Sequence, residues 1–268
     1  MKTINLITKE TTTQQIKSLM KQPAHSEHGK LLIDEEAMIY ENEKLIAVYK
    51  KYNGDITTLL YACEGIRFSK SERANGIPTN TSSIGYIPRN PLRVNACQPS
   101  DLLLNNPVVQ DVFVQHAEIV HESYKEFFEL AYQHQLDEFV NGSKPLDKAY
   151  LLGNTTFSGG VVNKDNSLHY HFDTANTPNG ISCMLMLANN INGGELVLPQ
   201  LDIRFACQNG FMLLFDGQKY LHGVSRIIKA LGGYRYTIVY YNNKGMKLCL
   251  PPDQEYERFK ELNNKKAN

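Results

Sequence analysis

The fold of this chain is decided by residues 168–241: LHYHFDTANTPNGISCMLMLANNINGGELVLPQ (168–200), LDIRFACQNGFMLLFDGQKYLHGVSRI (201–227) and IKALGGYRYTIVYY (228–241). His171 and Asp173 stand one residue apart, a second histidine follows at His222, and Arg235 comes later still. Side chains alternate between the two faces of a strand, so an H-x-D at a strand end projects both groups to one side. His222 must then arrive from a different strand folded against the first. Two imidazoles and one carboxylate occupy one face of an Fe(II) ion and leave the other face open to a bidentate cosubstrate and O2. An isolated H-x-D is common by chance, and a lone strand histidine is more often core or surface than a ligand. Here it stands in an ordered set: H-x-D, the glycine hairpin Gly193-Gly194, an apolar strand, His222-Gly223, then R-x-T on a final strand. That order points to iron oxygenase chemistry.

The segments between the ligands supply the scaffold. Ser182 to Ala188 and Phe211 to Phe215 are short apolar runs of the kind found in strands buried on both faces, and Gly193-Gly194 and Gly217 punctuate them. They predict a compact, barrel-like sandwich. Within Tyr234 to Ile238, Arg235 and Thr237 share one face, and a guanidinium pointing into a closed strand interior needs an anionic partner. A structural ion pair would satisfy it. Following the histidine–aspartate–histidine set, however, Arg235 suits the distal carboxylate of 2-oxoglutarate, with the Thr237 hydroxyl adding a hydrogen bond.

At 268 residues, with 42% hydrophobic and 10% aromatic residues, the chain can bury a sizeable core. Lys plus Arg balances Asp plus Glu at 28 each, so overall charge predicts no polyanion; a nucleic acid would have to be held by a local patch. Cys63, Cys97, Cys183, Cys207 and Cys249 show no C-x-x-C spacing and are expected to be reduced and mostly buried. The start, MKTINLITKETTTQQ, lacks a signal-peptide core, and no apolar run approaches a membrane span. The expectation is a soluble intracellular protein without a membrane partner, nucleus and cytoplasm undistinguished.

Outside the central stretch, Thr11 to Gln22 predicts a short amphipathic helix, Leu31 to Tyr52 a β-hairpin turning at ENEK, and Ile56 to Ile66 a helix. His25 and His28 read as exposed loop residues. Arg67 to Asp101 carries Pro78, Pro88, Pro91 and Pro99 and reads as irregular. Among its basic residues, Lys70 and Arg73 included, Arg89 and Arg93 are the candidate phosphate contacts. Val108 to Gln135 has the longest helical period, with His116, His121 and His134 as surface or core residues, not ligands. Tyr150 to Phe157 is expected to open the catalytic β region, and Asp253 to Lys265 to form a terminal helix. The organisation this implies is an N-terminal portion (1–107) packed on a core with a long support helix (108–250), followed by a helical tail (251–268), all in one structural domain. The fold class expected is α+β, a double-stranded β-helix (jelly-roll or cupin-like) core with flanking helices.

The catalytic stretch resembles the TET/JBP family of Fe(II)- and 2-oxoglutarate-dependent dioxygenases, which oxidise the methyl group of 5-methylpyrimidines in DNA. The matching residues are His171-Phe172-Asp173, Gly193-Gly194-Glu195-Leu196-Val197-Leu198-Pro199, Leu214-Phe215, Leu221-His222-Gly223-Val224 and Arg235-Tyr236-Thr237-Ile238-Val239. Upstream, Gly85-Tyr86-Ile87-Pro88-Arg89 and Leu92-Arg93, with Cys97 following, look like the segment preceding the core in shorter fungal and phage-type members. The histidine, aspartate and arginine set is shared with many 2-oxoglutarate oxygenases; the GGELVLP hairpin and the LHGV run are what single out this family. The resemblance implies iron held by His171, Asp173 and His222, 2-oxoglutarate held by Arg235 with Thr237, and O2 as co-reactant. It makes Asn176 and His169 candidates for touching a base, which must be flipped out of the duplex to reach the iron. 5-Methylcytosine and thymine both remain open. So do two other readings: a hydroxylase of a free metabolite or protein side chain, and a binding module that keeps the barrel without catalysis.

Overall fold

The apolar run SCMLMLA forms the start of a strand, Ser182–Gly193, whose first seven residues are all buried because it is covered on both faces. In the computed structural model, which describes residues 1–7, 12–72, 78–91 and 95–267, the strands come in the following chain order. They are β1 (Lys2–Leu6), β2 (Leu31–Ile33), β3 (Ala37–Glu41), β4 (Lys44–Lys51), β5 (Ser69–Glu72), β6 (Pro78–Ile84), β7 (Tyr86–Ile87) and β8 (Gln98–Pro99). Then follow β9 (Gly159–Lys164), β10 (Leu168–His171), β11 (Ser182–Gly193), β12 (Leu196–Leu198), β13 (Ile203–Phe205), β14 (Phe211–Phe215), β15 (His222–Val224) and β16 (Ile227–Tyr241). The helices are α1 (Thr13–Leu19), α2 (Ile56–Glu64), α3 (Asp101–Asn105), α4 (Pro107–Phe127), α5 (Glu129–Leu136) and α6 (Pro252–Ala267).

One sheet runs β1-β3-β4-β14-β11-β16-β9-β6-β5, and the facing sheet runs β10-β15-β12-β13-β2. Alternation along β11 divides the core into two layers. Met184 and Met186 pack between the sheets with Leu196, Leu198, Phe205, Leu213 and Val224. Cys183, Leu185 and Leu187 pack on the other side against Phe113, Ala117, Val120 and Tyr124 of α4. A strand with apolar neighbours on both faces reads as a continuous apolar run, not as an alternating one. The result is the α+β jelly-roll core with flanking helices that the strand pattern predicts. Among the described residues no helix is long and apolar enough to cross a membrane.

Several local expectations need correction. Leu31–Ile33 is not part of the predicted hairpin but pairs in parallel with β13 in the small sheet, while β3 and β4 make the hairpin across Asn42 and Glu43, both at positive φ. The stretch read as irregular contains β6, which pairs with β9 from Asn80↔Lys164 to Ile84↔Gly160. Its polar TNTSS sequence hid a strand that the backbone ladder holds near the sheet edge, and Pro78 sits at its first position, where a missing N–H costs no ladder bond. Tyr150 to Phe157 is a turn, not a strand: the Thr155 hydroxyl donates to Leu152 O (2.8 Å) and accepts from Phe157 N–H (3.1 Å). Such local side-chain bonds outcompete a ladder. The long helix is interrupted at Phe128, and its His116 and His121 are buried. Burial lowers the His121 pKa to about 4, and Nε2 accepts a hydrogen bond from Thr156 N–H at 3.1 Å.

Cys97 and Cys249 form a disulfide, against the expectation of five reduced cysteines. They lie 152 positions apart and meet only because the segment leading into α6 folds back on the one leading into α3. Cys63, Cys183 and Cys207 are free. Beside the disulfide, the Glu255 carboxylate (1% exposed) accepts from Arg89, from Cys97 N–H (2.8 Å) and from Leu250 N–H (2.9 Å). Burial by itself would raise the Glu255 pKa, but these donors outweigh it and hold it below the ordinary glutamate value. A depressed folded-state pKa adds stability above the ordinary glutamate value, and that stability drains away as pH falls through the folded value. Glu255→Gln should therefore lower unfolding stability by about 1.5–3 kcal/mol near neutral pH. In urea titrations across pH the gap from the parent should close below the ordinary glutamate range; a gap that persists there contradicts the assignment.

Candidate metal centre

His171 is the last residue of β10 and lies directly across from His222, the first residue of β15. The antiparallel pairing brings their ring centroids to 4.4 Å. Asp173 follows just beyond the strand end, where its backbone N–H donates to Gly217 O at 2.9 Å. Its Oδ1 lies 3.6 Å from His171 Nε2 and 3.7 Å from His222 Nε2, and one ligand atom from each residue falls within 4.8 Å of the others.

Both histidine tautomers are set by the backbone. His171 Nδ1 meets His169 O at 2.8 Å, and His222 Nδ1 meets Tyr220 O at 2.9 Å. A carbonyl oxygen only accepts, so each Nδ1 carries the proton and each Nε2 turns its lone pair toward Asp173. Two imidazole lone pairs and a carboxylate oxygen thus converge as a facial donor set, which suits Fe(II) and leaves coordination positions on the open side. His222 is buried, whereas His171 and Asp173 are partly exposed at the cleft mouth. The cleft, about 350 Å³, is walled by Asn163, Met184, Leu196, Phe215, Thr237 and Val239. Among the described residues, a larger groove of about 610 Å³ beside α5 and β4 carries no comparable donor set.

Arg235 is 1% exposed on β16. Its Nε donates to Gly194 O at 3.2 Å, and its backbone N–H donates to Asp165 Oδ1 at 2.9 Å. Gly194 has φ +75°, and a Cβ there would press on the Arg235 side chain, so the glycine lets backbone come up against the guanidinium. The Nη2 atom is buried without a hydrogen-bond partner. A buried guanidinium nitrogen left unpaired is costly, and such a position fits a site built to receive an anion. Thr237 stands one pleat further along the same strand face and lines the cleft, its Oγ1 accepting from Asn163 Nδ2 at 3.4 Å. The donors Arg235, Thr237 and Asn163 suit a dicarboxylate lying beside the metal position.

The remaining predicted site residues fall in different places. Asn176 lines the cleft, with Nδ2 3.0 Å from Ser182 Oγ and 3.5 Å from Asp173 Oδ2. His169 does not line it. A β-bulge between Leu168 and His171 breaks the parity on which the prediction relied, and His169 Nδ1 bonds Lys21 O (2.7 Å) in the adjoining pocket with His25, Glu195 and Arg226. Arg89 is engaged by Glu255, as a structural cation. Arg93 and Arg73 lie outside the described residues. Asn163 and Ser182 were missed; the only signal was a polar residue inside an otherwise apolar strand.

The Tet/JBP family, described as the oxygenase domain of the 2OGFeDO superfamily, matches residues 90–244, more than half of the chain. No curated protein matches the sequence. The fold is similar to that of NgTET1, solved in complex with 5mC DNA (TM-score 0.62, 15% identity, covering 86% of each chain). Weaker similarity extends to OsALKBH1 (TM-score 0.45, 16% identity, 74% of this chain and 96% of that one). It extends also to an oxidoreductase of the 2OG-Fe(II) oxygenase family from Burkholderia pseudomallei (TM-score 0.43, 11% identity, 90% and 95%).

His222→Ala should abolish tight divalent-metal uptake while leaving the far-ultraviolet circular dichroism as in the parent; because the ring is buried, some loss of melting temperature accompanies it. Calorimetric titration with Mn(II) checks this, and parental affinity in the variant rules out the ligand set.

Proposed function

The chain belongs to the Tet/JBP oxygenase family, whose superfamily uses Fe(II), 2-oxoglutarate and O2, and from that membership we propose that it oxidises the methyl group of a 5-methylpyrimidine in DNA. The observation that carries the reading is the convergence of His171 Nε2, His222 Nε2 and Asp173 Oδ1, with an unpaired Arg235 Nη2 on β16 of the facing sheet. Bound iron with 2-oxoglutarate and O2 supplies the oxidising power to hydroxylate a methyl C–H.

The chain's own residues then have separable tasks. His171, Asp173 and His222 hold the metal by one face. Arg235 and Thr237 fix the cosubstrate's distal carboxylate, so that its reactive end is presented to the metal in one orientation. Leu196, Phe215 and Val239 line the cleft with apolar surface that excludes water. A flipped nucleotide brings its methyl group to the open side, where 350 Å³ accommodates one base.

Asn176 favours 5-methylcytosine over thymine. Its Nδ2 is committed to Ser182 Oγ and the acceptor-only Asp173 carboxylate, so the atom left to meet a base is Oδ1. An acceptor pairs with the exocyclic amine of cytosine and opposes O4 of thymine. Similarity to a fold solved with 5mC DNA agrees with this choice. Arg226, exposed just past β15 in the adjoining pocket, supplies a cation for the flanking phosphates in place of Arg89.

Mass spectrometry of nucleosides, after incubating matched 5-methylcytosine and thymine duplexes with Fe(II) and 2-oxoglutarate, should show oxidised 5-methylcytosine at about tenfold or greater excess. Equal oxidation of thymine removes the role given to Asn176. Succinate formation that ignores DNA altogether points to a metabolite or protein substrate, and no iron-dependent succinate points to a binding module. Arg235→Ala should raise the 2-oxoglutarate concentration needed for half-maximal turnover by about tenfold or more, consistent with loss of a charge-assisted pair of roughly 1.5–3 kcal/mol; an unchanged requirement counts against the cosubstrate assignment.

A further inference from the structure

Asp173 is the ligand with the most geometric freedom, since a carboxylate can turn about its Cβ–Cγ bond and offer a metal either oxygen or both. Two oxygens on the ion would fill a coordination position that the open face needs. We propose that Ser182, Asn176 and the bare backbone at Gly217 form a clamp on Asp173 Oδ2, so that Oδ1 alone faces the metal position; this rests on the iron-site reading above.

Three residues from separate segments meet at Oδ2. The Ser182 hydroxyl, on a residue 1% exposed at the first position of β11, donates to Oδ2 at 3.4 Å. It can accept at the same time from Asn176 Nδ2 at 3.0 Å, and the same amide reaches Oδ2 at 3.5 Å. Asn176 is itself fixed: its backbone N–H donates to Asp173 O (3.0 Å), its carbonyl accepts from Gln218 Nε2 (2.7 Å), and it bridges to Asn243. Gly217 O accepts the Asp173 N–H, and a Cβ at Gly217 would overlap Asp173 Oδ2 while pressing on Ser182 Oγ. Each polar contact is long by itself, so it is the enclosure that sets the carboxylate plane. On the other side Oδ1 faces the two Nε2 atoms.

Gly217 adds an independent argument. Among the described glycines, Gly85, Gly153, Gly193, Gly194, Gly210 and Gly232 have positive φ, and Gly217 does not. Its backbone accepts an L side chain without strain, so the consequence of a side chain there would fall on the Asp173 carboxylate, which would have to turn. Ser182 and Gly217 are positioning residues: they act on the metal through Asp173.

The metal alone tests this. Metal-free protein is titrated with Co(II), whose visible bands report both affinity and coordination geometry, with no cosubstrate or turnover involved. Ser182→Ala releases the carboxylate and Gly217→Ala pushes it. Each should raise the Co(II) dissociation constant by about tenfold or more, in the range found for partners that orient a metal ligand. Each should also change the band pattern while leaving the far-ultraviolet circular dichroism as in the parent. Ser182→Ala with the parental constant and spectrum overturns the role of Ser182, whatever Gly217→Ala does. Should Ser182→Ala not fold, Gly217→Ala decides, and parental binding by that variant overturns the clamp. A parent protein that takes up no Co(II) defeats the iron site itself, and the clamp with it.

Discussion

The structure depends on the antiparallel pairing of β10 with β15, which sets His171 opposite His222. Cross-strand neighbours are held by the ladder itself, at a separation that side-chain rotation changes little. Each histidine also donates from Nδ1 to the carbonyl two residues upstream, His169 for one and Tyr220 for the other. Placement and tautomer are therefore both backbone properties, and the site does not rely on mobile side chains to orient its imidazoles. Asp173 alone has no such backbone fixture for its carboxylate, which is why polar neighbours and a glycine gather around it.

The sandwich around this pair makes the polar groups effective. Strands β11 and β14 are apolar on both faces, with sheet on one side and α4 on the other. That surplus of burial tolerates Arg235, Thr237 and Asn163 in the interior, where unpaired polar groups would otherwise be destabilising. A guanidinium removed from water acts on an anion with less screening than a surface one, which is the physical basis of the role proposed for Arg235. The glycines of the 193–194 hairpin serve the same end by admitting backbone against Arg235.

Charge outside the cleft is balanced and partly paired. The chain has no net charge, and one arginine of the proline-rich loop, Arg89, is spent on Glu255 beside the Cys97–Cys249 disulfide. That corner ties the segment before α3 to α6. With no net charge the chain offers a polyanion no general positive field, so the proposed DNA partner would rest on a local patch.

Much of this was legible in the sequence. The apolar runs 182–188 and 211–215, the H-x-D, the later histidine and R-x-T follow from strand periodicity and ligand chemistry, which are local properties. The chain alone thus determined a β sandwich with an iron-type donor set and an arginine on its last long strand. Only the tertiary structure decided the rest, because it depends on pairings between distant segments. A single bulge turned His169 out of the cleft, contacts across 166 positions committed Arg89 to Glu255, and 152 positions separate the two bonded cysteines. The polar strand β6 carries no period of its own and exists because β9 offers it a ladder. Composition and spacing report what a residue can do; which residue meets which is set by strand register and chain return.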